Sequence, residues 1–350
     1  MVPCSRIALG PGGLAVRQGL GRQARGGSDG ARKALIPSVV APVEVAVAIL
    51  IREDGRVLLA KRPPGKVYAG WWEFPGGKVE AGETVEHALA RELREELAIT
   101  AVRRAFPWIT QIYTYPHATV RLHFHRVLAW DGEPHAVEHV ALSWESPDAV
   151  GVEPMLPANG PVLKALMLPG EYAITQAGEL GEQAFLARLR DRLDGGLRLV
   201  QVREPALSRK QLESFAARVI VLAHPAGARV LINGDVKLAH ALGADGVHLA
   251  AYQVAAAGGR PDLPLVGASA HSAAELRAAE GIGADFAVLG PVRDTPSHPD
   301  RAPLGWAAFR DAALGSAVPV FALGGVAAGD METAWSCGAH GVAMVRAAWR

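Results

Sequence analysis

The chain has 350 residues, half of them hydrophobic and a fifth charged, with 36 basic against 35 acidic side chains and a formal net charge of +1. Such a length asks for two domains rather than one, and the balanced charge without a long basic run excludes a nucleic-acid polymer as partner. No window offers the roughly 18 uninterrupted apolar residues of a membrane span, and two distant cysteines, Cys4 and Cys337, exclude a disulfide framework or a cysteine metal site, so a reducing, cytoplasmic setting is expected.

Residues 1–40 carry Arg6, Arg17, Arg22, Arg25, Arg32 and Lys33 against the single acid Asp29, with glycine pairs that would break an amphipathic helix. They are expected to be a disordered extension or an over-long start, dispensable for function. Val43–Ile51 is dense in β-branched residues and predicts a buried strand. Glu53-Asp54-Gly55 is a turn, and Arg56–Ala60 is expected to return as the hairpin partner. Lys61-Arg62-Pro63-Pro64 then leaves the sheet for a loop. Trp71, Trp72 and Phe74 lead into a Gly-Gly turn, either as core or as an aromatic wall for a flat base.

Gly76–Ile99, GGKVEAGETVEHALARELREELAI, passes from that turn into a helical pattern. At about 100° per residue, Val85, Leu89, Leu93 and Leu97 span an apolar arc of about 120°. Glu92 and Glu96 fall at the inner edge of that arc, and Glu95 stands about 80° to one side. His87, Arg91 and Arg94 take the wet face. A carboxylate turned toward apolar packing is costly unless it is paired or bound to a metal. Three acids grouped in this way suit either a salt-bridged helix or a hard divalent cation such as Mg²⁺.

Downstream, Ile109–Tyr115 and Thr119–Trp130 alternate like a strand pair, and His117, His123 and His125 on it read as packing or solvent residues. Asp131-Gly132-Glu133-Pro134 is a turn, Glu138 follows in a loop, and Leu156–Pro161 opens a helix over Val162–Met167. From Glu171 short apolar strands alternate with helical runs. The predicted strands are Tyr172–Thr175, Leu197–Val202, Arg229–Ile232, Gly246–Leu249, Leu265–Gly267, Phe286–Leu289, Val318–Leu323 and Gly341–Val345. Helices are predicted between them over Glu179–Leu193, Arg209–Leu222, Val236–Leu242 and Ser272–Gly281. Eight alternations predict a compact (β/α)₈ barrel of the TIM type, with a doubly wound open sheet as the rival.

Two resemblances follow from these residues. Gly77, five residues, Glu83, seven residues, then Arg91-Glu92-Leu93-x-Glu95-Glu96 resembles the Nudix box, with Ala98 where that family has glycine. Alanine closes such a helix provided the next turn needs no positive φ. The order FPGGK, REL-x-EE, DGEP, Glu138 and LPAN-x-P-V is similar to MutT-type enzymes that hydrolyse oxidised purine nucleoside triphosphates. The resemblance implies an α/β/α sandwich over residues 41–168. It implies Mg²⁺, with Mn²⁺ as a substitute, held by Gly77, Glu92, Glu95, Glu96 and Glu138. Glu92 or Glu138 would take the proton of the attacking water, and Arg91 would pair with Glu83 to brace the turn. Arg62, Phe74, Lys78 and Asn159 would meet the nucleotide, Asn159 reading the purine edge or capping its helix. Conversion of 8-oxo-dGTP to 8-oxo-dGMP and pyrophosphate, and so mutation avoidance, is the activity implied.

The segments VQVRE, LINGD, GADGVHL, SAHS, LGPVRDTPSHP and ALGG resemble thiamine-phosphate synthase and its thiazole tautomerase relatives, which implies a barrel over residues 170–350. Gln201, Arg203, Asn233, His271 and the Gly324-Gly325 turn fall at strand ends, where barrel enzymes keep their sites, and a thiamine-related phosphate is the implied ligand. The departures are specific: Pro205 replaces a lysine, Asn233-Gly234 replaces Asn-Asp, and Ala250-Ala251-Tyr252-Gln253 replaces an acidic segment. Without those acids synthase activity is not expected. His271 matches the tautomerase histidine, so the barrel is read as a proton-transfer site, an accessory module or a ligand-binding regulator. An alternative function for the Nudix half is hydrolysis of thiamine-precursor pyrophosphates.

Overall fold

A computed structural model describes residues 41–295 and 302–350; the expectation for residues 1–40 lies outside the described residues. The amino-terminal half runs β1 (Val43–Leu50), β2 (Val57–Lys61), β3 (Trp72–Glu73), β4 (Gly76–Lys78), α1 (Val85–Leu97), β5 (Ala101–Tyr115), β6 (Ala118–Asp131), β7 (Ala141–Glu145) and α2 (Asn159–Leu166). One sheet has the order β4-β1-β6-β5 and a second the order β3-β2-β7. The expected β1–β2 hairpin is therefore corrected: the two strands meet only at a bridge between Ile51 and Val57. Both edges of β1 are taken, by β4 antiparallel and β6 parallel, so β2 builds a second sheet with β3 and β7.

Alternate residues of β1 serve opposite layers. Ala46, Ala48 and Leu50 pack under Ala88, Leu89, Leu93 and Leu97 of α1, and Val47 and Ile49 pack with Val162 and Leu163 of α2. Each fully buried leucine contributes about 1.5–3 kcal/mol. Helices on both faces give the α/β/α sandwich. Thr84 starts α1 by accepting the His87 N–H at 3.2 Å. Its end differs from expectation. Ala98 sits in the left-handed region at φ 58°, with its N–H bonded to the Arg94 carbonyl and that of Ile99 to the Leu93 carbonyl. The turn does need a positive φ, and alanine is held there by the buried side chain of Ile99.

The carboxy-terminal half supplies β8 (Glu171–Ile174), β9 (Leu199–Val202), β10 (Arg229–Asn233), β11 (Gly246–Leu249), β12 (Leu265–Ala270), β13 (Phe286–Leu289), β14 (Val320–Leu323) and β15 (Gly341–Met344). All eight are parallel, and β15 pairs with β8 to close the barrel, which removes the open-sheet rival. Tyr172, Phe286 and Phe321 fill its interior. The helix expected over Glu179–Leu193 is split at Gly181, whose φ of 80° no helix admits, into Ala177–Leu180 and Glu182–Asp194.

The sandwich docks on the amino-terminal ends of the barrel strands. Arg126 of β6 is buried there, donating to the carbonyls of Ala339 at 2.7 Å and His340 at 3.0 Å. Its guanidinium lies 5.4 Å from the Trp108 ring and 5.3 Å from that of Trp335. The Thr110 N–H donates to the Ser316 carbonyl at 2.9 Å, and Lys164 pairs with Asp285 at 2.7 Å.

Candidate active site

The Gly76-Gly77 turn and α1 are folded onto each other by side chains of the box. Glu96 is 5% exposed, and one of its carboxylate oxygens accepts the Gly76 N–H at 3.0 Å. Glu92 lies flat on Gly77, where a Cβ would overlap its carboxylate. Arg91 is not on the wet face. It is drawn in under the Lys78–Glu83 loop, donating to both oxygens of Glu83 at 3.1 and 2.9 Å and to the Lys78 carbonyl at 2.9 Å. Its remaining nitrogen reaches Glu92 at 2.8 Å and Glu95 at 3.2 Å. Burial pushes the Glu96 carboxyl up to about 7, against the pull of His139 and of the Gly76 N–H.

Among the described residues no group of three or more His, Cys, Asp or Glu side chains forms a ready cage. Glu95 is half exposed and Glu138 turns outward to Lys66 at 3.4 Å. The donors still fit a hard divalent cation in kind. A buried carboxylate short of positive charge stands beside a second carboxylate and a bare backbone turn, all offering oxygen.

The segments after β2 and β7 close around this turn. Arg62 donates to Glu73 at 2.6 Å and to the Val67 carbonyl at 2.8 Å. Phe74 is core, 3% exposed and edge-on to Phe124, and Trp72 is also buried. Neither presents a face to a ligand, because both fill the layer between the sheets and α2. The open aromatics are Tyr68, Trp71, Tyr115 and His117, grouped within 5.1–6.1 Å of the Tyr68 ring. Asn159 does not cap its helix. It is the first helical residue, buried, with its amide nitrogen 3.7 Å from the Met155 sulfur. Lys78 is exposed.

Sequence reasoning missed Glu73 and His139. His139 is buried between Glu73 and Glu96, at 3.8 and 3.9 Å. Its signal was slight: a histidine directly after Glu138 and just ahead of a strand.

In the barrel, Gln201, Arg203, Asn233, His271, Gly324 and Gly325 all line one cavity of about 960 Å³ at the carboxyl ends of the strands. His271 is held by Glu275, which accepts from its ring nitrogen at 2.9 Å and its backbone N–H at 2.6 Å. Gly324 and Gly325 have φ of 101° and 64°, and a Cβ on Gly324 would strike Pro291. Where acids are missing, Gln253 donates to the Gly234 carbonyl at 2.8 Å and accepts from the Ala250 N–H at 3.0 Å. A neutral, satisfied amide occupies that corner. No helix of the described residues is long and apolar enough to cross a membrane.

Family models match this chain twice: a NUDIX domain over residues 41–166 and thiamine monophosphate synthase over residues 171–348. The first half is similar to the CTP pyrophosphohydrolase of Escherichia coli, 43% identical over 121 residues, covering 35% of this chain and 89% of that protein. It is also similar to the 8-oxo-dGTP diphosphatase of Haemophilus influenzae, 37% identical over 125 residues, covering 36% and 91%. The second half is similar to the thiamine-phosphate synthase of Herpetosiphon aurantiacus, 34% identical over 187 residues, covering 50% and 86%.

Proposed function

The chain belongs to two families at once, Nudix and thiamine monophosphate synthase, and from that fusion we propose a Nudix hydrolase of nucleoside triphosphates, oxidised purines preferred, with an accessory barrel. The observation that carries the reading is the buried Glu96 carboxylate clamped to the Gly76-Gly77 turn. Mg²⁺, or Mn²⁺ in its place, would be held by the Gly77 carbonyl with Glu92 and Glu96, and by Glu95 and Glu138 as further donors; bound there it would neutralise phosphate oxygens and acidify a water.

Arg91 braces the turn against α1 through Glu83. Glu138 is assigned as the base. Its carboxylate makes only a 3.4 Å exposed contact, whereas Glu92 is held by Arg91 at 2.8 Å. Lys78 meets a phosphate as a point charge. Arg62, fixed by Glu73, orients the nucleoside. Asn159, buried with its donor and acceptor unspent on capping, reads the base edge. The products are the nucleoside monophosphate and pyrophosphate, and for 8-oxo-dGTP the consequence is sanitation of the nucleotide pool.

A second reading, hydrolysis of thiamine-precursor pyrophosphates, is favoured by the fused barrel alone. Mg²⁺-dependent hydrolysis of 8-oxo-dGTP, dGTP, CTP, ADP-ribose and hydroxymethylpyrimidine pyrophosphate tests both. A preference for the last overturns the first reading. A preference for CTP moves the specificity to pyrimidines.

A further inference from the structure

His139 is 2% exposed at its side chain, and its Nδ1 is buried without a partner. Its Nε2 stands almost equally far from Glu73 Oε1, 3.8 Å, and from Glu96 Oε1, 3.9 Å. The loop that carries it is stapled on both sides. The Val137 N–H donates to the Glu96 carbonyl at 3.0 Å, and the Val140 N–H to the Lys61 carbonyl at 2.9 Å. The imidazole is therefore fixed between the nucleotide arm, where Arg62 bonds Glu73, and the carboxylate on the Gly76 N–H. A buried ring wedged between two carboxylates sets their spacing by packing, whichever way either side chain is pulled.

We propose that His139 is a positioning residue that couples the Arg62–Glu73 arm to Glu96, so that seating the nucleotide and ordering the carboxylate are one event. The inference rests on the reading of Glu96 as a metal-site carboxylate. Tightening of Arg62 on a ligand pulls Glu73, and His139 passes that displacement to Glu96.

The test uses the full-length chain with Mn²⁺ alone, free ion being followed by electron paramagnetic resonance. His139→Ala is expected to weaken Mn²⁺ binding by about 10-fold or more. Arg62→Ala is expected to alter Mn²⁺ affinity in the wild type yet to change nothing further in the His139→Ala background. On whichever nucleotide the wild type hydrolyses, His139→Ala is expected to lower kcat while KM stays within about twofold. Should His139→Ala fail to fold, His139→Gln, which keeps a side-chain N–H of similar reach, carries the same cycle and is expected to lie between the two. Wild-type Mn²⁺ affinity in the histidine variant, or effects of Arg62→Ala and His139→Ala that simply add, overturns the inference. A wild type that binds Mn²⁺ but cleaves no nucleotide overturns the proposed activity and leaves the cycle to decide this point. A wild type that binds no Mn²⁺ overturns both.

Discussion

Glu96 and Gly76, twenty residues apart, are joined by a 3.0 Å hydrogen bond from backbone N–H to carboxylate, and Glu96 is buried as it accepts it. Burial raises its pKa from the ordinary 4.5 to about 7. The folded chain therefore holds a proton that the unfolded chain has released. Stability is greatest below the ordinary value and falls as pH rises through about 7. At about 1.4 kcal/mol per unit, the loss is on the order of 3 kcal/mol. Urea unfolding of metal-free protein across that window should show a downward slope that Glu96→Gln removes. An identical slope in the variant contradicts the assignment.

Ala98 offers a test of local strain. An alanine at φ 58° costs about 1 kcal/mol relative to glycine, and its side chain is exposed, so nothing is lost by trimming it. Ala98→Gly should stabilise the protein by about 0.5–1 kcal/mol, less the greater freedom of glycine in the unfolded chain. Chemical denaturation measures it. Destabilisation would show that the helix end is not strained.

Arg126 ties the two halves together. Removing its side chain takes a donor from the Ala339 carbonyl, leaves the His340 carbonyl with the Trp335 indole N–H at 3.0 Å, and strips the cation from two indole faces. Arg126→Ala should cost about 3 kcal/mol, and Arg126→Met should recover part of the packing without the hydrogen bonds. The wild type should melt in one transition. Two separate wild-type transitions would contradict a shared core at this junction.

The barrel should make no thiamine phosphate from its two precursor phosphates. Gly234 and Gln253 close the corner where acids would hold a metal-bound pyrophosphate. Assay of the full chain with Mg²⁺ checks this, and steady product formation would contradict it.

The barrel was legible because its strands are buried on both faces and read as plain apolar runs, such as Phe286–Leu289 and Gly246–Leu249. The same plainness misled at β1 and β2. Two apolar strands joined by a short turn look like a hairpin, and only the occupied edges of β1 decide otherwise. In the site, helical angles separated buried Glu96 from exposed Glu95. They misplaced Arg91, because a helical angle ignores the loop that folds over it. Phe74 and His139 depended on long-range packing that no local pattern carries.

Whether Glu96 serves phosphate hydrolysis is decided by Mg²⁺-dependent turnover of 8-oxo-dGTP by the full chain, with pyrophosphate release followed beside the same assay on Glu96→Gln. 8-oxo-dGMP and pyrophosphate are expected from the wild type, with a loss of at least about 100-fold in the folded variant. Wild-type turnover in Glu96→Gln would contradict that role.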